Sequence, residues 1–271
     1  MNIARAAMIG DVVGGPGLEV LEAKLPELIK NERLDFVTVN GENAADGFGL
    51  TEADCARIFA SGADVITSGN HVWEKRDFFD VLEREKKVLR PANYPASVPG
   101  AGFVLIEKNN LSWLVINLQG REQMYDIDCP FRCFDSVYNA HIGRANYGAS
   151  SPARFPITLV DFHAESSREK EALAYYAGRR AALIAGTHTH VQTADERVLP
   201  KGGAYITDLG MTGVINSVIG TDPRICLERF RMQVLYHMEA AAANNSEQMQ
   251  GVIAEIDADS CKALSIRRIG A

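Results

Sequence analysis

The chain has 271 residues, 46% of them hydrophobic and 23% charged, enough apolar material for one large core or two small ones and too much for wholesale disorder. With 28 basic and 35 acidic residues the formal charge is -7 at pH 7, which argues against general duplex-DNA binding, although a local set of cations can still hold a phosphate. No apolar run approaches the ~20 residues of a membrane span, and the start, MNIARAAMIGD, carries neither a signal-peptide core nor a cleavage signal.

Ile3 to Gly10 reads as a strand ending at Asp11. Leu18, Leu21, Leu25, Leu28 and Ile29 then recur at helical spacing, with Pro26 expected to kink or split the helix. Phe36 to Val39 is a second strand running into Asn40-Gly41-Glu42-Asn43. Thr51 to Ala60 is a helix with Thr51 as its cap and Asp54 in a box-like position. A third strand, Asp64 to Thr67, leads into Ser68-Gly69-Asn70-His71, and the stretch to Lys87 looks helical. This alternation predicts largely parallel pairing with helical crossovers.

Phe103 to Glu107 and Trp113 to Leu118, separated by Asn109-Asn110, give a hairpin signal, so the sheet system becomes mixed. Residues 120–156 have several Pro and Gly and no clean period; they are too many for a bare connection and read as a cap with short helices or a flexible excursion. Strands resume at Ile157 to Phe162, Ala182 to Ala185 and Ala204 to Thr207, with a helix over Glu165 to Ala177. Late strands follow at Gly251 to Ile256 and Ala263 to Ile269, and Ala240 to Ala243 reads as a helix end. There is no repeat and no linker-like break, so 1–271 reads as one domain with a cap or active-site excursion at 120–156. Cys55, Cys129, Cys133, Cys226 and Cys261 are odd in number, scattered and without CxxC, as expected of ordinary thiols in a cytoplasmic protein.

Polar residues recur where strands end. Asp11, Glu42-Asn43, Asn70-His71, His163 and His188-Thr189-His190 each follow an apolar run, and four of the six histidines belong to this set. Residues at the carboxyl ends of parallel strands converge on one edge, where sites form. Taken singly, Asp11 is an ordinary turn or cap residue and His163 an ordinary hydrogen-bonded histidine. Five strand ends offering ligand-type groups point jointly to a metal site, because buried polar groups need partners. A mixed imidazole and oxygen site suits Mn, Fe, Zn, Co or Ni. The glycines of Gly10 to Gly17 have neither dinucleotide-fingerprint spacing nor a P-loop ending, and there is no G-x-S-x-G elbow.

GNH at Gly69 to His71 and GTHTH at Gly186 to His190 resemble the calcineurin-like metallophosphoesterase superfamily. MIGDVVGGPG, TVNGENAADGFG, SGNHVWEKRD, LRPANYP, INLQGR, VDFHAESSREKEA, GTHTHVQTADERVLP and TDLGMTG narrow the resemblance, over essentially the whole chain, to YmdB-type bacterial phosphodiesterases. The resemblance implies an α/β sandwich of two mixed β-sheets flanked by helices, and a dinuclear-metal enzyme acting on 2',3'-cyclic nucleotides. It implies that Asp11, Glu42, Asn43 and His190 hold one ion and that Glu42, Asn70, His163 and His188 hold the other, with Glu42 bridging and His71 catalytic. Asp11-Val12-Val13 stands where the wider superfamily has Asp-x-His, and Glu42 where it has a bridging Asp; both are features of the YmdB-type group. Val214-Ile215-Asn216-Ser217 departs from the Pro and Asp common in that group at the first and third places.

The expected cofactors are two metal ions per chain, Fe or Mn first and Zn third. The expected reaction is opening of the 2' ester to give a 3'-nucleotide, with a broader phosphomonoesterase or protein phosphatase, or a metal-bound regulatory scaffold, as alternatives. The expected partners are 2',3'-cyclic nucleotides or small phosphodiesters, no duplex DNA and no membrane, with homo-oligomerisation left open. Tyr125, Phe131, Phe134, Tyr138, Tyr147 and Arg132 either anchor the 120–156 segment to a small core or contact base and phosphate. Asp208 is expected to shape a turn near the site.

Overall fold

The structure is a computed structural model describing residues 2–142 and 155–270. In chain order the strands and helices are β1 (Ile3–Ile9), β2 (Asp11–Val12), α1 (Gly14–Glu32), β3 (Phe36–Asn40), α2 (Glu52–Ala60), β4 (Val65–Thr67), α3 (Phe79–Arg84), β5 (Phe103–Lys108) and β6 (Leu111–Gln119). They continue as α4 (Pro130–Ile142), β7 (Ile157–His163), α5 (Ser167–Ala177), β8 (Leu183–Thr187), β9 (Arg197–Val198), β10 (Ala204–Ile206), β11 (Met211–Val214), α6 (Pro223–Met232), β12 (Glu247–Gln248), β13 (Gly251–Asp257) and β14 (Lys262–Ile269).

Two mixed sheets face each other, one ordered β14-β13-β1-β3-β4 and the other β5-β6-β7-β8-β10-β9. Strands β1, β3 and β4 are mutually parallel, as are β6, β7, β8 and β10, so each sheet presents several carboxyl ends along one edge. Between the sheets lie Ala6, Met8, Phe36 and Val65 from one and Trp113, Val115, Leu159, Leu183 and Ala185 from the other. Phe36 and Trp113 stack with ring centroids 4.7 Å apart. The outer face of the first sheet takes Leu18, Leu21 and Leu25 of α1 and Ile58 of α2; that of the second takes Phe134 of α4 and Leu173 and Ala174 of α5. This is the expected sandwich of two mixed sheets flanked by helices.

Thr51 and Asp54 form a reciprocal capping box, and the hairpin turns through Asn109 and Asn110, both at positive φ, as a primed turn requires. Pro26 sits inside α1 without splitting it: the buried stripe of Leu18, Leu21 and Leu25 continues past it in the partly buried Leu28 and Ile29, which pack on the same cluster. The stretch after His71 is only partly helical: two short 3-10 turns, Asn70–Trp73 and Arg76–Phe78, precede α3. Ala240 pairs in an isolated bridge with Thr221 and ends no helix. A small sheet ordered β12-β11-β2 completes the edge next to Asp11.

The 120–156 segment contributes α4, whose Phe134 and Val137 pack on Leu114, Ile116 and Leu118 outside the second sheet. Phe134 stacks on Tyr138, and the Arg180 guanidinium lies over both rings. Tyr147 lies outside the described residues. No helix among the described residues is long and apolar enough to cross a membrane.

Candidate metal centre

The interior face of each sheet changes character along its strands. Phe36, Val65, Leu159 and Leu183 are apolar; four residues further on β3, two on β4 and β7, and four on β8, the same face carries Asn40, Thr67, Asp161 and Thr187, all buried. His163 ends β7 on this face, and Glu42, Asn43, Asn70, His71, His188 and His190 follow the ends of β3, β4 and β8. Asp11 begins β2, just past β1, and is fully buried.

His163 is the centre of the group. Its Nε2 lies 3.0 Å from Glu42 Oε1, 3.0 Å from His188 Nδ1 and 3.1 Å from Asn70 Oδ1. Its Nδ1 meets Thr187 Oγ1 at 2.9 Å, and that hydroxyl donates to Asp161 Oδ1 at 2.7 Å. The Thr187 proton is therefore committed, so Nδ1 is the imidazole donor, and a neutral His163 presents a lone pair at Nε2. Ligand atoms of Glu42, His163 and His188 all lie within 4.8 Å of one another. His188 Nε2 faces Glu165 Oε2 at 3.2 Å, which turns the Nδ1 lone pair toward the same point. One proton on Nε2 cannot serve three acceptors, whereas a cation can, so these residues fit a metal ion.

Asp11, Asn43 and His190 stand beside this triad. His190 Nδ1 donates to the Ile219 carbonyl at 2.8 Å, leaving its Nε2 lone pair 3.2 Å from Asn43 Nδ2 and 3.8 Å from Asp11 Oδ1. Asp11 Oδ1 is buried with no hydrogen-bond partner among the described residues, an expensive condition unless a cation sits beside it. Asn43 Nδ2 is 3.5 Å from Glu42 Oε1, which joins the two groups. His71 is set apart: its backbone N–H donates to Glu42 Oε2 at 3.0 Å, while its ring is half-buried at the cleft, with Nδ1 3.3 Å from Glu74 Oε1.

Two of the supporting groups, Asp161 and Lys170, were not singled out from the sequence. Asp161 shares the face of His163 by strand period, and an acid inside the buried run ITLVDFH was the available signal. Lys170 and Asp208 form a buried ion pair at 2.7 Å. Asp208 Oδ2 also accepts from Thr189 N at 3.2 Å and Thr189 Oγ1 at 2.8 Å, so the expected turn residue holds the residue between the two GTHTH histidines. His188 and His190 have φ of 101° and 64°, left-handed values that the anchored Thr189 sustains. A Cβ on Gly69 would lie 2.0 Å from the His163 ring, so the chain before Asn70 needs glycine. Asn117 on β6 accepts from Ser68 N and donates to Ser68 O, fixing the same turn. Arg132 lies elsewhere, on a cavity of about 350 Å³ with Asn93, Asp128, Cys129 and Cys133.

Burial pushes the Asp11 carboxyl up to about 6 against the pull of His190 and His163. Burial would raise Glu42 too, but the charge and hydrogen bond of His163, with His71 and His188, hold it at about 2. Burial would lower His163, yet Glu42 and then Asp11 and Asp161 raise it to about 9. Burial and the neighbouring His163 charge keep His188 down at about 3.

A family model described as YmdB-like protein matches residues 7–269. A Bacillus subtilis (strain 168) protein named 2',3'-cyclic-nucleotide 2'-phosphodiesterase is 41% identical over 265 residues, covering 98% of this chain and 96% of its own. The crystal structure of a novel phosphatase from Mycoplasma pneumoniae superposes with a TM-score of 0.87 at 31% identity, covering 99% of this chain and 93% of that one. A hypothetical protein from Thermus thermophilus superposes with a TM-score of 0.84 at 35% identity over 97% of both chains.

With no ion bound, His163 keeps its second proton up to about pH 9, and ion uptake must displace it. Between pH 6.5 and 8.5 the affinity for Mn(II) should therefore fall about tenfold per unit of acidification, with close to one proton released per ion taken up by the triad. Competition titrations at several pH values in buffers of different ionisation enthalpy measure both quantities. The sign for folding is opposite: the raised pKa favours the folded ion-free chain below the ordinary histidine value, and this advantage disappears as pH rises through about 9.

Proposed function

The chain belongs to the YmdB-like family and is a metal-dependent phosphodiesterase-like hydrolase, and on that premise we propose that it hydrolyses 2',3'-cyclic nucleotides at the 2' ester, releasing 3'-nucleotides. The observation carrying this reading is the convergence of Glu42, Asn70, His163 and His188 on one point beside Asp11, whose Oδ1 has no partner among the described residues. We assign two ions per chain, one to Glu42, Asn70, His163 and His188 and the other to Asp11, Glu42, Asn43 and His190, with Glu42 shared. The imidazole and carboxylate donors suit Fe or Mn, and Zn third. Such ions, when bound, acidify a water and neutralise phosphoryl oxygens.

The protein's own residues supply orientation and a proton. Asp161 and Thr187 hold the His163 tautomer, and the Ile219 carbonyl holds that of His190. His71, steadied through Nδ1 by Glu74, is assigned as the general acid. As the oxygen of water bonds to phosphorus and gives up a proton to solvent, the bond from phosphorus to O2' breaks and the His71 proton passes to O2', leaving a 2'-hydroxyl and a 3'-monophosphate; His71 is then reprotonated from solvent. The reading includes action in the cytoplasm by one catalytic domain; none of the five cysteines is in a disulfide, which fits a reducing compartment.

Anaerobically purified protein loaded with Mn or Fe should convert 2',3'-cAMP to 3'-AMP, resolved from 2'-AMP by chromatography. Dominant 2'-AMP would reverse the assigned ester, and preference for a phosphopeptide or a phosphomonoester would move the chain to the broader phosphatases. Saturated wild type should hold two ions per chain, and Glu42→Gln should weaken both sites; a wild-type value of one or below refutes the dinuclear centre. His71→Ala should keep both ions and lose ~10²–10⁴-fold in turnover. Loss of the ions from folded His71→Ala protein would make His71 a ligand instead.

A further inference from the structure

The cleft over the metal-ligating groups encloses about 400 Å³, a size that suits a nucleotide, and its walls differ in kind. Glu42, Asn43, His188 and His190 form the polar wall; Phe48, Ile219 and Met238 stand in the apolar one. The Phe48 ring meets His71 edge-on, with centroids 5.1 Å apart, so the apolar wall begins where the assigned acid ends.

Ile219 is the informative residue. It has a φ of 49°, a conformation that penalises a β-branched side chain. The backbone there has clear tasks: the Ile219 carbonyl accepts from His190 Nδ1, and Val218 and Thr221 bond each other through both N–H groups. Glycine would perform those tasks with less strain. Packing does not explain the side chain either, since Ile219 is 52% exposed. A strained, exposed, branched apolar residue held rigidly at the mouth of a polar site is explained by a ligand that covers it.

We infer that Phe48, Ile219 and Met238 form the seat of the nucleobase, a flat heterocycle lying against apolar side chains while its cyclic phosphate occupies the polar wall. This rests on the cyclic-nucleotide reading above. Recognition is by stacking and area rather than by hydrogen bonds to the base edge, so the seat accepts every base and favours purines for their larger faces.

The test compares 2',3'-cAMP with the base-free 2',3'-cyclic phosphate of methyl ribofuranoside, using metal-loaded wild type, Phe48→Ala, Met238→Ala and Ile219→Gly. The ratio of kcat/KM for the nucleotide to that for the base-free ester should fall by ~5–150-fold in Phe48→Ala, mainly through KM, and less in the other two. Ile219→Gly keeps the carbonyl that holds His190, so it should raise Tm, retain the metal content and still lower the ratio. Ratios equal to wild type in all three variants, or a wild type that uses both compounds equally well, overturn the seat and leave the phosphodiesterase reading intact. A wild type that hydrolyses neither compound overturns that reading, and the seat with it.

Discussion

A single buried carboxylate ties the two sheets together where the site forms. Asp161 accepts from Thr67 on β4, Asn40 on β3 and Thr187 on β8, while itself standing on β7. Desolvation raises its pKa, and hydrogen bonds from Thr67, Thr187 and Asn40, with the His163 charge, work against that rise. A lone carboxylate between two sheets would be costly, but one with three donors defines the spacing and register of the elements that supply them. The same group reaches His163 through Thr187, so the contact that joins the sheets also sets which ring nitrogen faces Glu42, Asn70 and His188. Scaffold and site share this interaction, and disturbing it would disturb both.

Asp208, just past β10 and two strands away, repeats the arrangement. Its partner Lys170 comes from α5, on the outer side of the second sheet, and reaches through beside Gly186, where a Cβ would meet the lysine stem at 2.7 Å. A buried ion pair of this kind is weak as a source of stability. Its value here lies in geometry, because the Asp208 carboxylate also holds Thr189 and the Gly210 N–H. The GTHTH segment cannot be extended with both histidines simply on one side, as period-two spacing would have it, since His188 and His190 both have positive φ. The two imidazoles reach the cleft through a turn clamped between them.

Strand-end chemistry was legible in the sequence because strands of three to seven residues, largely apolar, lead into Asp11, Glu42, Asn70, His163 and His188. The hairpin was legible from Asn109-Asn110, and α2 from Thr51 and Asp54, since these signals are local. What escaped is non-local. Strands β2, β9 and β12 have two residues each and exist through their partners, with no period to detect. Helix α6 buries only Cys226 and so shows no apolar stripe of the usual kind. Asp161, Thr187 and Lys170 look like ordinary strand and helix residues until the other sheet or loop is placed against them. The stretch following His71, up to Lys87, looks helical in sequence, but Asn70 and His71 are drawn to His163 and Glu42, and two 3-10 turns precede the short α3.

Three residues without glycine's freedom, His188, His190 and Ile219, adopt left-handed backbone within one hydrogen-bonded cluster. Each such residue costs roughly 1–3 kcal/mol, and such strain persists only where its surroundings over-determine it. Here they do: Asp208 holds Thr189, Ser217 Oγ accepts from Gly220 N, and Ile219 and His190 hold each other through carbonyl and Nδ1. The loop carrying Ile219 therefore cannot move without moving His190. The backbone of the apolar mouth and the polar groups beneath it form one mechanical unit, so a displacement of the Ile219 carbonyl is passed to an imidazole that faces Asp11.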